Sequence, residues 1–289
     1  MRLKLSVLGL GLCFPIVAAA QTADPAASSA GTPGVQSSAT PADPLAKENW
    51  PVNFVDRPAG LSAGMLQVDL WSLTSMSKEL VGKPVAFPLA AYYGVSNNLQ
   101  LGIFPATISG VGLCVTGKDN GCTKAYNDIA FQGVYSITGR GSAFELAGFG
   151  QLNFASISDP MLMNLQLGAV LVGLTGGNNL AFLAYPSIGI GLNKRDELKN
   201  KEYLSVPLYI GYRVTPNLSP ILYTGLFGPF DGFSDGYIAP LGIGALYGVN
   251  AKWDVGARFD FTNLLGKVPM GAGRADGRAL NVWVSVRPL

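Results

Sequence analysis

The most constraining feature of this sequence is a period-two alternation of apolar and polar residues, which begins near Gly64 and continues to the C-terminus. A strand with this alternation has one apolar and one polar face. Turn-forming residues divide the pattern into about twelve segments of roughly ten residues, at 64–75, 84–95, 99–107, 126–138, 143–156, 161–175, 180–192, 203–214, 218–228, 237–249, 253–263 and 279–287. The pattern therefore predicts an all-β chain of about twelve strands.

The connections between these segments alternate in length. Short turns occur at 96–98, 138–141, 176–179, 215–217 and 250–252. Longer and more polar loops lie between them, at 107–125, 193–202, 229–236 and 264–278. Short turns at one end and long loops at the other are typical of up-and-down transmembrane barrels, whose even strand number leaves both termini at the short-turn end.

The composition points to a membrane environment. Charged residues make up 13% of the chain, about half the usual share, and 48% of the residues are apolar. Yet no stretch after residue 20 has the ~20 consecutive apolar residues that a membrane helix needs. A closed barrel is the other structure that satisfies its backbone within lipid. We therefore predict a transmembrane, up-and-down, antiparallel β-barrel over residues 61–289.

The N-terminus has the pattern of a secretory signal peptide over residues 1–20. Arg2 and Lys4 precede an apolar stretch at 5–17, and the small residues 18–20 predict cleavage before Gln21. A lipoprotein anchored through Cys13 is the less favoured alternative. Cleavage removes two basic residues and leaves 18 residues of each charge, so the net charge does not favour nucleic acid as a partner.

Residues 21–60 have a different character from the rest of the chain. Up to about residue 48 they are rich in Ala, Ser, Thr and Pro and lack periodicity. Such a composition cannot bury enough apolar surface to fold independently. We predict a disordered periplasmic segment that precedes the barrel.

Four of the five short turns are preceded by a tyrosine that is in phase with the apolar residues of its strand. Tryptophan and tyrosine concentrate where a membrane meets water. The repeated position therefore predicts an aromatic girdle on the outer surface, formed by Tyr93, Tyr135, Tyr212 and Tyr247.

The same alternation assigns polar residues to the inner face. The candidates for lining the lumen are Asp69, Asp128, Gln132, Glu145, Gln151, Asn153, Asn164, Gln166, Tyr209, Arg213, Asp254, Arg258, Asp260 and Arg287. For the ionisable members, ion pairs that brace the wall are the favoured interpretation, because unpaired charges in a confined space are costly. A selectivity lining for a polar or zwitterionic solute is the alternative. Inward glycines, including Gly242, Gly244 and Gly248, either leave room for a solute or allow strong coiling of the strands, and a narrow open path is the favoured interpretation.

The sequence contains no histidine, which excludes Ser-His catalysis and the usual His-rich zinc sites. We therefore predict a protein without enzymatic activity, cofactor or metal. Cys114 and Cys122 lie in one long loop, and a secreted protein folds under oxidising conditions. They are predicted to form a disulfide that closes this loop.

Two segments have a distinctive hairpin pattern. Tyr93-Gly94-Val95 is followed by a turn and Leu99-Gln100-Leu101-Gly102, and Tyr247-Gly248-Val249 is followed by a turn and Trp253-Asp254-Val255-Gly256. Both segments resemble hairpins of small Gram-negative outer-membrane barrels, including a transporter-like family associated with aromatic-degradation pathways. The resemblance implies the fold but no functional residue. Such barrels commonly end in an aromatic residue, whereas this chain ends in Arg287-Pro288-Leu289.

These observations together predict a narrow channel for small solutes in the outer membrane of a Gram-negative bacterium, with membrane lipid as its surroundings. One alternative is a closed barrel that acts through its external loops as a surface binding or structural protein. A second alternative is a soluble periplasmic β-sandwich or lipocalin-like binder.

Overall fold

A computed structural model describes residues 45–78, 81–105, 112–116, 128–157, 160–267 and 275–288. Within these ranges, the strand segments form one antiparallel sheet that closes because β1 pairs with both β2 and β14. The segments are β1 (Leu66–Ser75), β2 (Val85–Gly94), β3 (Leu99–Phe104), β4 (Gly112–Cys114), β5 (Ile129–Thr138), β6 (Phe144–Ser156), β7 (Leu162–Thr175), β8 (Leu180–Ala184), β9 (Ser187–Gly191), β10 (Tyr203–Tyr212), β11 (Leu218–Pro229), β12 (Leu241–Asn250), β13 (Trp253–Phe261) and β14 (Arg278–Val286).

Two pairs of these segments are parts of single barrel strands, so the barrel has twelve strands. β8 and β9 both lie between β7 and β10, and the strand is interrupted at Tyr185-Pro186. Proline lacks the N–H that would continue the ladder. β3 and β4 pair with successive parts of β2, at 91–94 and 86–88. The prediction of a closed, all-β barrel of about twelve strands is confirmed.

Two of the differences between the predicted and the observed strand boundaries have a clear physical reason. β4 lies within 107–125, which the sequence predicts to be entirely loop. Its three residues are too few to show an alternating pattern. They pair with the part of β2 that lies beyond the part paired with β3. β12 begins at Leu241 rather than at residue 237. Pro240 directly precedes it and cannot donate a ladder hydrogen bond.

The outer surface of the barrel is an apolar band. The outward residues of the nine-residue strand β13 run from Trp253 to Phe261. At ~3.4 Å per residue and a tilt of ~40°, this strand spans roughly 20 Å along the barrel axis, close to the ~25 Å band of transmembrane barrels. Leu70, Ile243 and Val255 are exposed on this surface.

The four predicted girdle tyrosines all lie on the outer surface beside short turns. Tyr93, Tyr135, Tyr212 and Tyr247 are each about half exposed. This placement is the one that an interfacial girdle requires. Their contact with the membrane interface stays a prediction.

Among the described residues, no helix is long and apolar enough to span a membrane.

The predicted disorder of residues 21–60 is wrong for residues 45–60. This stretch contains two short 3-10 turns, Lys47–Asn49 and Phe54–Asp56, and it buries Trp50, Phe54 and Val55. This stretch folds because its apolar side chains pack against residues inside the barrel rather than against one another. A periodic sequence pattern does not reveal such contacts. Residues 21–44 and the predicted signal peptide at 1–20 lie outside the described residues.

Candidate functional site

The candidate site is the barrel lumen, and the structure places the predicted lining residues there. Thirteen of the fourteen are buried, whereas their outward neighbours along the strands are more exposed. The buried residues are Asp69, Asp128, Gln132, Glu145, Gln151, Asn153, Asn164, Gln166, Tyr209, Asp254, Arg258, Asp260 and Arg287. The side chain of Arg213 is 20% exposed and lies at the short-turn end. These residues therefore lie on the inner face of the barrel, and their role in lining a solute path stays a prediction.

A ring of polar residues surrounds the short-turn end of the lumen. Each member is an inward residue close to a short turn or a chain terminus, and together they form what we call the mouth ring: Gln67, Gln100, Ser136, Glu145, Ser219, Asp254 and Arg287. All seven are buried. The ring is covered by residues 45–62, which we call the mouth loop.

The mouth loop is bound to the mouth ring on several sides. The backbone N–H of Ala59 donates to Glu145 Oε2 (3.1 Å), and that of Leu61 donates to Gln100 Oε1 (3.0 Å). On the opposite side, Ser219 Oγ donates to Asn53 Oδ1 (3.0 Å). Because these contacts reach strands on different sides of the barrel, the loop crosses the mouth rather than lying along one wall.

The strongest contact of the mouth loop is made by Arg57. Its Nη1 and Nη2 donate to the two carboxylate oxygens of Asp254, at 2.5 and 2.6 Å, and both side chains are 1% exposed. Asp254 also accepts a hydrogen bond from Arg287, whose Nε donates to Gln67 Oε1 (2.7 Å). Bidentate arginine–carboxylate pairs are among the stronger hydrogen-bonded contacts in proteins. One carboxylate therefore joins the loop to the C-terminal strand of the barrel.

A second ion pair ties the loop to the rim. Arg213 donates to Asp56, and its Nη2 also contacts Asn178 O (3.3 Å). Burial raises the pKa of Asp56, and the guanidinium of Arg213 opposes that rise. Arg213 therefore contacts the mouth loop rather than the central lumen.

Behind the polar ring, the mouth loop closes an apolar layer. Its residues Phe54, Val55 and Ala59 belong to a single buried cluster with inward side chains of the wall, among them Val134, Ala147, Val172, Leu183, Ile221 and Leu246. A Cβ added to Gly211 would lie 2.6 Å from Phe54 Cε1, so the glycine permits this approach. The loop therefore combines a polar rim with an apolar seal.

The space that inward glycines were predicted to leave is occupied by neighbouring side chains. A Cβ added to Gly256 would overlap the ring of Trp283, and one added to Gly102 would lie 2.6 Å from the ring of Tyr92. At Gly244 it would meet Arg258 Cβ at 2.8 Å. The inference of open space from these glycines is wrong, because in a strongly curved sheet a glycine gives room to a large side chain on the next strand.

The same applies to the other two glycines that were predicted to leave space. An added Cβ would overlap a carboxylate oxygen of Asp260 at Gly242 and the backbone of Val52 at Gly248. Gly248 thus makes room for the mouth loop itself.

The central ion pair lies on β13. Arg258 donates from Nε and Nη2 to the two oxygens of Asp260 (2.7 and 2.9 Å), and Asn281 Nδ2 also donates to Asp260 (2.6 Å). The guanidinium lies 4.1 Å from the ring centroid of Tyr223. Asp254 does not share this arginine, since it pairs with Arg57 and Arg287 instead. The geometry supports the interpretation that these charges brace the wall.

An uncharged row of amides covers the wall formed by β5, β6 and β7. Gln132 Nε2 donates to Gln151 Oε1 (3.1 Å), Gln151 Nε2 to Asn153 Oδ1 (2.6 Å), and Asn153 Nδ2 to Asn164 Oδ1 (2.7 Å). The Oε1 atom of Gln132 is buried without a hydrogen-bond partner. This wall of the barrel therefore carries hydrogen-bonding groups without net charge.

Inward aromatic side chains of the wall belong to the same buried cluster as the apolar residues of the mouth loop. Trp71 and Trp283 stack with ring centroids 5.0 Å apart, and those of Tyr209 and Tyr223 are 4.9 Å apart. Apart from Tyr209, these residues are absent from the predicted lining, because that prediction selected polar side chains only. They alternate in phase with the polar inward residues of their own strands, and this phase is the signal that identifies them as inward.

Two further predictions concern a disulfide and the binding of metal. Cys122 lies outside the described residues, so the disulfide with Cys114 stays a prediction. Across the described ranges, no group of three or more His, Cys, Asp or Glu residues could hold a metal ion.

No protein-family model and no curated protein matches the sequence. Among solved structures, the chain is similar to the NanC porin, with 11% identity, a TM-score of 0.56, and coverage of 76% of this chain and 98% of that chain. The KdgM porin is 10% identical with a TM-score of 0.53, and the match covers 76% of this chain and 98% of that chain. An outer membrane channel from Pseudomonas putida F1 is 12% identical with a TM-score of 0.49, and the match covers 79% of this chain and 97% of that chain. At such identities the likeness to the two porins shows the fold alone: the chain has the fold of outer-membrane channel barrels.

Proposed function

We propose that this chain is a channel for small polar solutes in the outer membrane of a Gram-negative bacterium. The observation that carries the proposal is a closed barrel with an apolar outer band and an inner face that carries amides, hydroxyls and compensated charges beside apolar and aromatic side chains. A protein whose only surroundings were water would have no reason to expose Leu70, Ile243 and Val255 together on one side of its sheet.

The lining favours uncharged or zwitterionic solutes over free ions. Asp260 is engaged by Arg258 and Asn281, and Asp254 by Arg57 and Arg287, so these carboxylates present little unpaired charge to the lumen. The amide row offers donors and acceptors without net charge. A polar solute can exchange its hydration for such groups at modest cost.

The proposal assigns no catalytic activity to the lumen. The sequence has no histidine to act as a general base. The buried carboxylates Asp254 and Asp260 are both engaged in ion pairs with arginines. Barrel bracing and solute contact account for these residues without a reaction.

Swelling of proteoliposomes tests the proposed function. Full-length protein should make the vesicles permeable to a neutral pentose, and much less permeable to a neutral trisaccharide that exceeds a narrow lumen. Protein-free vesicles of the same lipid provide the control. Vesicles that stay impermeable to the pentose would support a closed barrel that acts through its external loops.

A further inference from the structure

The mouth loop begins and ends at the same point of the rim. Ser62 Oγ donates to the backbone carbonyl of Leu45, so the two ends of the loop touch. Between them the chain enters the lumen as far as Phe54, Val55 and Ala59 and then returns. Compact loops whose ends meet can move as a unit, because motion at the ends displaces the whole segment.

The connection to β1 has the properties of a hinge. Ala63 and Gly64 are exposed, and Gly64 has a left-handed conformation with φ +74°. A Cβ added to Gly64 would meet nothing within 4 Å. A few loop residues that absorb large backbone changes are enough for such a motion.

The loop does not fill the mouth completely. A cavity of about 660 Å³ lies between loop residues, among them Pro51 and Asp56, and the rim at Tyr212–Pro216. At ~30 Å³ per molecule of liquid water, this volume accommodates roughly twenty waters. One side of the loop therefore has room for water, which eases its separation from the rim.

The charged residues at the mouth are compatible with two positions of the mouth loop, one inside the mouth and one outside it. With the loop in place, Asp254 binds both Arg57 and Arg287. When the loop leaves, Arg57 passes into water, while Asp254 keeps Arg287 as its partner on the barrel wall. Asp254 therefore has a cation partner in both positions of the loop, so the motion does not leave this buried carboxylate unpaired, which would be costly. The exposure of Phe54 and Val55 favours the closed position.

From this geometry we propose that residues 45–62 are a reversible plug. The loop rotates about Ala63-Gly64 toward the short-turn side of the membrane and thereby opens the channel, and the Arg57–Asp254 pair is the latch that holds it closed. This inference rests on the proposed function and adds its regulation. It predicts that the conductance of the channel depends on whether the loop can leave the mouth.

A cysteine pair across the plug and the wall tests this inference. Asn53 and Ser219 make side-chain contact at 3.0 Å, so Asn53→Cys with Ser219→Cys is the pair chosen for a disulfide cross-link. The background carries Cys114→Ser and Cys122→Ser to prevent other pairing. In planar bilayers, the oxidised pair should show almost no channel openings, and reductant should restore them. The single variant Asn53→Cys in the same background should not respond to reductant.

The outcomes separate the two proposals. Equal conductance of the cross-linked and reduced protein, with the cross-link verified by mass, overturns the plug but leaves the channel intact. A reduced pair that never conducts, together with a silent full-length protein, overturns the channel and the plug with it.

A second set of variants tests the latch without a cross-link. Arg57→Ala should raise the open fraction at least about tenfold, which corresponds to ~1.4 kcal/mol. Arg57→Lys should give an intermediate value, because it keeps the charge but loses the bidentate contact. Lys47→Ala removes the same charge from the same loop away from the latch and should change nothing. Equal open fractions in all three variants would refute the latch.

Discussion

Replacing Ile243 with arginine tests whether the outer surface of the barrel lies in lipid. Ile243 is outward on β12 and 65% exposed, and the girdle residue Tyr247 lies four positions closer to the short turn. At ~3.4 Å per residue and a tilt of ~40°, Ile243 is roughly 10 Å from the girdle along the barrel axis. That is near the middle of a band of ~25 Å, where an arginine costs about 2–4 kcal/mol.

The same strand supplies the matched control. Val249 is also outward and is 49% exposed, but it lies two positions beyond Tyr247 on the turn side. Near the interface the cost of arginine falls to about 0–1 kcal/mol. Reversible urea unfolding of both variants in lipid vesicles gives the two costs, provided that the denaturant slope is unchanged. Equal costs for Ile243→Arg and Val249→Arg would contradict the placement of the band, and negligible costs for both would refute a lipid-facing surface.

Three further predictions concern the inside of the barrel and its external loop. Gly256→Val should destabilise the barrel by about 1–3 kcal/mol through overpacking, and an unchanged unfolding midpoint would contradict the close packing of Trp283 against this glycine. Arg258→Gln leaves Asp260 without its cation and should cost about 3–5 kcal/mol in the same assay, with little change in reversal potential in a salt gradient. A large shift of reversal potential without loss of stability would mean instead that this pair faces an open, hydrated path. Cys114 and Cys122 should resist alkylation until reductant is added, whereas labelling of the unreduced protein would exclude the disulfide.

The architecture was predictable because the sequence features that specify each strand lie within that strand and its adjoining turns. Alternation, turn residues and the difference between short and long connections are local features, and each hairpin repeats them. The apolar band and the buried lining follow from the same alternation, as the opposite exposure of Ile243 and Asp254 shows. A one-residue error of register would have exchanged the two faces along the whole strand.

The plug was not predictable, because its evidence lies in contacts between distant parts of the chain. Arg57 and Asp254 are 197 positions apart, and each was an ordinary charged residue in its own segment. Phe54 and Val55 stand in a stretch without period, so neither a helix nor a strand pattern selects them. The packing at Gly256 was not predictable for the same reason, because the Trp283 ring that lies against this glycine belongs to another strand.

The central claim is that the lumen conducts and that the mouth loop closes it. Single-channel recording of full-length protein beside a variant that lacks residues 45–62 tests both parts in one measurement. The account predicts that the shortened barrel conducts nearly all the time, while the full-length protein opens rarely and to a similar level. Identical open fractions for the two proteins, or a shortened barrel that folds but does not conduct, would contradict it.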